Sequence, residues 1–310
     1  MDSPKHKTEK NGMASPAALH PVLAPATENI CAVVVTYFPD AGFAERLAQI
    51  RGQVDRVVVV DNGSDAESFR HVVAAASDRR VTLVRNKANL GIATALNQGM
   101  RHAHGEGYTW AFLLDQDTRP WTKTIERVRQ AFDEIPEKEK VAVLGSNRFL
   151  KASASGAQWW TRSPAVITSG SLVSLRAAEI IGPFRDEFFI DGVDFEFCLR
   201  ARSKGYEIVE ILEPIMTHAI GNPKPVRLGW IRGRTSDHRS WRWYYMVRNN
   251  LILFRDYMWT EPAWTLKTAG TLCYALSLSL LFEEARLAKL RFGFLGLWDG
   301  IRRKFDRVII

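Results

Sequence analysis

Ile30–Thr36 (I-C-A-V-V-V-T) and Arg56–Val60 are continuous apolar, β-branched runs. Runs of that length without alternation suit strands buried on both faces of a parallel sheet, and parallel strands need a crossover helix between them. Phe43–Ile50 has the helical spacing for that crossover. The alternation continues with a helix from about Asp65 to Ala76, a strand Val81–Arg85, a helix from about Ile92 to Ala103 and a strand Thr109–Leu114. An α/β fold with a Rossmann-like sheet flanked by helices is expected. In such folds ligands gather at the carboxyl ends of the strands, so the residues that follow each strand carry the information. They are Thr36-Tyr37, Asp61-Asn62-Gly63-Ser64, Asn89-Leu90-Gly91 and Asp115-Gln116-Asp117.

Beyond Asp117 the pattern loosens to a helix near Lys123–Asp133, a strand Val141–Leu144 and a Ser/Gly/Trp-rich stretch without a clear assignment. Ile167–Ser171 reads as a strand end with a tight turn, Arg176–Ile181 as a short helix stopped by Gly182-Pro183, and Asp194–Lys204 as a helix closed by Gly205.

Two acids after an apolar strand, Asp115 and Asp117, suit Mg²⁺ or Mn²⁺, which prefer hard oxygen ligands completed by substrate phosphates. A surface turn could contain the same pair. Asp61-Asn62-Gly63-Ser64 could bond a base or ribose or simply form a turn. Asn89-Leu90-Gly91 opens a helix where a phosphate could approach, but it is neither G-x-G-x-x-G nor followed by a Walker lysine. That counts against a dinucleotide oxidoreductase and a P-loop nucleotidase. In D-G-V-D-F-E-F-C-L-R (Asp191–Arg200), Asp194 falls at a helix start and Glu196 can pair with Arg200 at i, i+4, while routine capping explains acids there equally well. His218 follows the β-rich Pro214–Thr217, and its imidazole suits a Mn²⁺-type site.

The charge is unevenly placed. Residues 223–310 hold 16 Lys and Arg against 7 Asp and Glu, net +9, whereas residues 1–222 hold 26 against 27, net −1. Within the basic part, Ala263–Phe282 is apolar apart from Lys267 and small polar residues, and its uncharged stretch Thr268–Phe282 is 15 residues, short of the roughly 20 a bilayer-crossing helix needs. With Trp259, Trp264 and Tyr274 around it and the basic, aromatic Arg286–Arg307 behind, an anchor on an anionic membrane surface is expected, against a helix packed on the domain or in a homo-oligomer. Nucleic acid is not the expected partner. Three widely spaced cysteines without C-x-x-C support neither a disulfide framework nor a zinc knuckle, and the first 28 residues lack a secretory pattern. The expected divisions are therefore a flexible tail at 1–28, a catalytic domain at 29–222 and a basic helical extension at 223–310, on the cytoplasmic face of the membrane.

The order V-V-V-T-Y, V-V-V-D-N-G-S, N-L-G-I-A-T-A-L-N-Q-G, L-L-D-Q-D, T-S-G-S-L, F-F-I-D-G-V-D-F-E-F-C-L-R-A-R-S-K-G-Y and T-H-A-I-G resembles glycosyltransferase family 2, in particular its bacterial rhamnosyltransferase branch. The likeness runs from about Ile30 to Gly221 and into Trp241–Asn250. It implies a GT-A fold and inverting transfer from a nucleotide-diphosphate sugar, here dTDP-L-rhamnose, to a saccharide or polyprenyl-diphosphate-linked acceptor in O-antigen or other surface polysaccharide synthesis. By the same likeness Thr36, Tyr37, Asp61 and Asn62 would hold the nucleoside, with Asn89 and Gly91 near the diphosphate or ribose and Asp115 and Gln116 on the donor. Asp115, Asp117 and His218 would hold the cation, Asp194 would be the general base, and Ser169, Gly170, Ser171 and Glu196 would lie beside the acceptor or sugar.

Two departures stand out. Val193 replaces the acid that usually precedes the base, which leaves Asp191 as the substitute; and Arg239-Ser240-Trp241-Arg242-Trp243 approaches the processive Q-x-x-R-W with Arg for Gln, which favours single-residue transfer. Two other readings fit parts of the pattern. A nucleotidyltransferase would share Asp115 and Asp117 but leave Asp194 and His218 without a role, and a non-catalytic scaffold would not need the acids.

Overall fold

A computed structural model describes residues 23–147, 158–217, 224–228, 231–235 and 237–309. The strands are β1 (Ile30–Thr36), β2 (Arg56–Asp61), β3 (Val81–Arg85), β4 (Trp110–Asp115), β5 (Arg119–Pro120), β6 (Val141–Gly145), β7 (Trp160–Arg162), β8 (Ser171–Ser174), β9 (Glu207–Ile211), β10 (Met216–Thr217), β11 (Lys224–Leu228) and β12 (Ile231–Thr235). The helices are α1 (Phe43–Arg51), α2 (Ala66–Ala75), α3 (Ile92–Gly105), α4 (Thr124–Glu134), α5 (Leu175–Ile181), α6 (Val193–Ser203), α7 (Arg242–Tyr257), α8 (Pro262–Phe282) and α9 (Arg286–Ile301).

An eight-stranded mixed sheet in the order β3-β2-β1-β4-β8-β6-β9-β7 forms the centre. All seven residues of β1 are buried, as expected for a strand covered on both faces. Its period-two alternation divides the core. Cys31, Val33 and Val35 join the apolar cluster that includes α3 and α6, while Ile30, Ala32 and Val34 join the one that includes α1 and α4. Gly99 lets α3 settle on the sheet: a Cβ there would stand 2.2 Å from Val33 Cγ1.

The register positions the site. β1 is parallel to β2 with Thr36 opposite Asp61, and parallel to β4 with Val35 opposite Asp115, so three strands deliver their carboxyl-terminal residues to one edge. β8 runs antiparallel to β4 with Ser171 opposite Leu113, which brings the turn before β8 to that same edge. Ile167–Ser171, expected as a strand end, is instead a turn leading into a strand: Ser171 N–H bonds the Thr168 carbonyl at 3.0 Å and the strand runs on from Ser171. The apolar residues that sustain it, Leu172 and Val173, lie just past the turn.

Residues 1–22 of the expected tail lie outside the described residues. Where the chain enters, the Leu23 carbonyl accepts from Trp110 Nε1 at 2.9 Å. At the other end, α7 packs against α9 and against the loop that precedes α6, so the basic extension contributes to the walls of the site.

Candidate active site

The edge opens on a network around Asp61. Its fully buried carboxylate accepts from Thr36 Oγ1 at 3.1 Å, from Ser64 Oγ at 2.6 Å and from Ser64 N–H at 3.2 Å, with Arg85 at 3.9 Å. Thr36 is itself fully buried and acts through Asp61. Ser64 Oγ in turn accepts the Phe38 N–H at 2.9 Å, which fixes the turn after β1. Tyr37 and Gln116 face each other across the edge in a reciprocal pair: Tyr37 N–H donates to Gln116 Oε1 at 2.7 Å and Gln116 Nε2 to the Tyr37 carbonyl at 3.1 Å. Arg46 Nε caps the Gln116 carbonyl at 2.6 Å.

Asn62 ties the second crossover to this floor. Its amide donates to Asn89 Oδ1 and to the Gly91 carbonyl, and its carbonyl oxygen accepts from Asn86 Nδ2 and Leu90 N–H. Gly91 has φ +86°, and a Cβ on it would sit 2.8 Å from the Phe189 carbonyl oxygen, so it lets the start of α3 close on the loop before α6. The Ile92 N–H to Phe189 carbonyl bond at 2.7 Å seals that contact.

Asp115 ends β4 half-buried, and Asp117 is exposed one residue beyond Gln116. Ser169 Oγ accepts the Asp115 N–H at 3.1 Å and also pairs with Thr118 Oγ1, while Gly170 N–H bonds the Leu113 carbonyl at 2.8 Å. The turn before β8 is therefore bound directly to the acidic turn. Ser171 hydroxyl donates back to the Ile167 carbonyl and is buried.

Asp194 stands in the first turn of α6. Its Oδ1 accepts Phe195 N–H at 2.9 Å and Oδ2 accepts Thr168 N–H at 3.4 Å, which joins it to the same turn. A small, mainly apolar cavity lined by Leu113, Val143, Val166, Phe197 and Cys198 also touches its carboxylate. Burial pushes the acid up from 3.8 to about 6, assisted by the charge of Asp191 and opposed by the two N–H donors. A carboxylate poised there is still mostly ionised near neutrality and is a stronger base than an ordinary aspartate.

Asp191, Gly192 and Phe189 have φ of +63°, +76° and +62°, so the loop before α6 is held in a conformation that costs of order 1–3 kcal/mol for each non-glycine residue. α7 offsets that cost. Asn249 Nδ2 donates to the carbonyls of Phe188, Ile190 and Asp191 at 2.8–2.9 Å, and Arg248 Nη2 to that of Glu187 at 2.6 Å. Arg242 grips both oxygens of Asp191. Burial works against the Arg242 charge, but the carboxylates of Asp191, Asp115 and Asp194 more than offset it and raise its pKa above the ordinary value.

Thr36, Tyr37, Asp61, Asn62, Asn89, Gly91, Asp115, Gln116, Ser169, Gly170 and Asp194 are thus gathered at one edge. Glu196 is not among them: it is buried, and its carboxylate is taken by Arg200 at 2.9–3.3 Å and Tyr257 at 3.2 Å. His218 lies outside the described residues. Arg242, Arg248 and Asn249 stand beside this edge although the sequence gives them no role there, and Ser64 joins it as the last residue of the D-N-G-S turn. For Ser64 the signal was its place in D-N-G-S, and for Arg242 the pair of Trp residues around it; Arg248 and Asn249 look like ordinary polar residues on a helix.

The profile described as "Glycosyl transferase family 2" matches residues 31–161, which includes the nucleotide-side strands and the acidic turn. The dTDP-rhamnosyl transferase RfbF of Shigella flexneri is 32% identical over 245 residues, covering 73% of this chain and 80% of that protein. The chain belongs to glycosyltransferase family 2. The galactofuranosyltransferase GlfT1 of Mycobacterium tuberculosis is 24% identical over 260 residues, covering 76% of this chain and 84% of its own. Among solved structures, the mannosyltransferase PcManGT of Pyrobaculum calidifontis in complex with GDP-Man and Mn²⁺ superposes with a TM-score of 0.54 at 18% identity, covering 94% of this chain and 90% of that one. The fold of this family 2 enzyme is GT-A, and it is a nucleotide-sugar glycosyltransferase.

Proposed function

We propose that this glycosyltransferase moves L-rhamnose from dTDP-L-rhamnose to a hydroxyl of a saccharide or polyprenyl-diphosphate-linked acceptor during surface polysaccharide assembly, with inversion at the anomeric carbon. The 32% identity to an enzyme named as a dTDP-rhamnosyl transferase carries the donor reading. The position of Asp194 carries the mechanistic one.

Asp194 takes the proton of the acceptor hydroxyl as that oxygen forms its bond to the anomeric carbon from the face opposite the diphosphate. The bond from that carbon to the diphosphate oxygen breaks, and its electron pair leaves with dTDP. Positive charge develops on the sugar during transfer, as in glycoside hydrolysis. Phe195 and Thr168 N–H groups hold the carboxylate in place through the exchange, and the apolar wall behind it keeps the proton affinity high.

Two carboxylates separated by one residue at a strand end are a hard-oxygen donor set that fits Mg²⁺ or Mn²⁺ with diphosphate oxygens filling the shell. Asp115 and Asp117 would hold the cation, joined by His218, whose neighbour Thr217 pairs with Arg119 two residues past Asp117. Among the described residues no group of three or more His, Cys, Asp or Glu is placed to hold a metal, and His218 lies outside them. When bound, the cation neutralises the charge of the departing diphosphate.

A thermal-shift panel of nucleotide-diphosphate sugars with and without Mn²⁺ tests the reading, since a ligand that binds the native state raises its stability. A Mn²⁺-dependent rise with dTDP-rhamnose above that with UDP- and GDP-sugars is expected. An equal rise with and without metal removes the cation, and a larger rise with another donor removes rhamnose.

A further inference from the structure

We infer that α8 and α9 form a surface that lies in the plane of an anionic lipid membrane without crossing it. The inference is independent of which sugar the site transfers.

α8 has 21 residues and spans about 31 Å, long and apolar enough to cross a bilayer. Both of its ends, however, are fastened to the same domain. At the start, Trp264 packs edge-on to Phe195 at 5.4 Å, Thr265 is buried, and Glu261 just before the helix takes Arg202 at 2.5 Å. At the end, Leu278 and Ser279 are buried, and Glu283 accepts from Lys289 at 2.7 Å and from Asp237 N–H at 3.0 Å. A helix held at both ends on one side of a bilayer cannot reach the other.

Between those ends the helix presents Leu266, Gly270, Tyr274, Ser277 and Leu281 to the outside, at spacings of three and four that form one stripe without a charge. Two of its mid-helix hydroxyls bond within the helix: Thr271 Oγ1 donates to the Lys267 carbonyl and Ser277 Oγ to that of Cys273, both at 2.9 Å. That is the arrangement hydrocarbon demands. α9 presents Leu287, Phe294, Trp298 and Ile301 on one face with the cation Arg291 among them, and Leu287 and Phe294 are 83% and 68% exposed. Trp259, 91% exposed, stands just before α8.

The occupant follows from charge. Arg286, Arg291 and Arg302 are exposed on or beside the α9 stripe, as are Arg303 and Lys304, which pair with Asp256 and Asp306, and Arg302 stacks on Trp298 at 3.9 Å. A protein partner would need to match an apolar stripe edged by this many cations, whereas anionic headgroups over acyl chains match both at once. The contact of Trp264 with Phe195, next to Asp194, would hold the base close to the lipid interface where a lipid-linked acceptor resides.

The test is cosedimentation of the full chain with phosphatidylcholine vesicles, with or without about a third phosphatidylglycerol. Binding should be at least about tenfold tighter to the anionic vesicles and fall steeply with salt. Arg291→Glu with Arg302→Glu should weaken it by about tenfold or more, and Phe294→Asp should do so as well; each is exposed, and an unchanged melting temperature shows that it folds. Lipids brominated along the acyl chain should quench tryptophan fluorescence in the wild type, and less so after Trp259→Phe and Trp298→Phe. Equal, weak binding to both vesicle types overturns the inference, as does a dimer by sedimentation that Phe294→Asp dissociates while vesicle binding stays unchanged.

Discussion

Arg242 holds Asp191 through two parallel bonds, Nε to Oδ2 at 2.8 Å and Nη2 to Oδ1 at 2.7 Å, three residues before Asp194, the proposed general base. The pair joins α7 to the loop that enters α6, and its negative member is one of the charges that lift Asp194. Replacing Asp191 by Asn removes that charge and leaves the Arg242 cation uncompensated. Both changes favour ionised Asp194, so the acidic limb of the kcat/KM profile should move to lower pH than in the wild type. A limb that stays put, or moves up, in D191N would show that Asp191 does not tune the base. Arg242→Lys keeps the charge but not the planar two-point grip, and should lower kcat by tenfold or more.

With Asp194 as the proposed base, the wild-type profile should follow its titration. With burial raising the carboxyl to about 6, activity should fall about tenfold per pH unit below that value as the base becomes protonated. Asp194→Asn should cost roughly 10²-fold or more in kcat while leaving donor affinity nearly unchanged, as measured by calorimetry with dTDP-rhamnose. Full activity in D194N would remove Asp194 from the reaction.

Stability should move the other way. Because folding raises this acid above its ordinary 3.8, its contribution favours the native state below that pH and is lost as pH rises through 6. At pH 8 the charged group is a standing cost, so D194N should melt a few degrees higher than the wild type, with the gain vanishing near pH 4. A lower melting temperature at pH 8 would mean that the N–H groups of Phe195 and Thr168 matter more than the burial they oppose.

Much of this arrangement could be read from the residue order, and the part that could not has a physical reason. β1, β2 and β4 announce themselves because strands covered on both faces need continuous apolar runs, and their ends fall within a residue of expectation. The helix boundaries follow from the helical spacing of apolar residues and from stops such as Gly182-Pro183 and Gly205. Asp194 was legible as an acid at a helix start, but its raised pKa was not, because that depends on Val143 and Val166 arriving from two other segments to bury it. The T-S-G-S turn was placed on the wrong side of its strand, since short apolar stretches on either side gave no direction. Arg248 and Asn249 were invisible because their partners are backbone carbonyls, which every residue has. The family likeness places Asp191 and Glu196 with the acceptor residues; the structure engages the first with Arg242 and encloses the second with Arg200, the partner its i, i+4 spacing offers, and Tyr257.

Gly91 offers a local test of how the donor floor and the base loop are joined. Gly91→Ala adds a Cβ 2.8 Å from the Phe189 carbonyl oxygen at a φ of +86°, a conformation alanine resists. The loop must retreat, and with it the Ile92 N–H bond to Phe189. A loss of about 2 kcal/mol or more in denaturant unfolding is expected, with kcat lowered further than donor affinity. Unchanged unfolding would show that the contact is looser than described.

Asn249 tests whether α7 holds the base through backbone geometry alone. It is fully buried and its single amide nitrogen serves the carbonyls of Phe188, Ile190 and Asp191; that of Phe188 also accepts from Ile190 N–H at 2.7 Å and from Arg248 Nη2 at 3.3 Å, so the loss falls mainly on Ile190 and Asp191. Leaving buried carbonyls unsatisfied costs about 1–3 kcal/mol apiece, shared here among three acceptors on one donor. Asn249→Ala should therefore unfold at about 2–4 kcal/mol lower stability, and the surviving folded fraction should show a kcat deficit larger than any change in KM for the donor, because Asn249 bonds the loop before α6 and neither Asp61 nor Asn62. Asn249→Asp supplies acceptors where donors are needed and should be worse than N249A by both measures. If N249D matched the wild type in kcat, the positive-φ loop before α6 would be held by its own local bonds, and α7 would serve only to cover it.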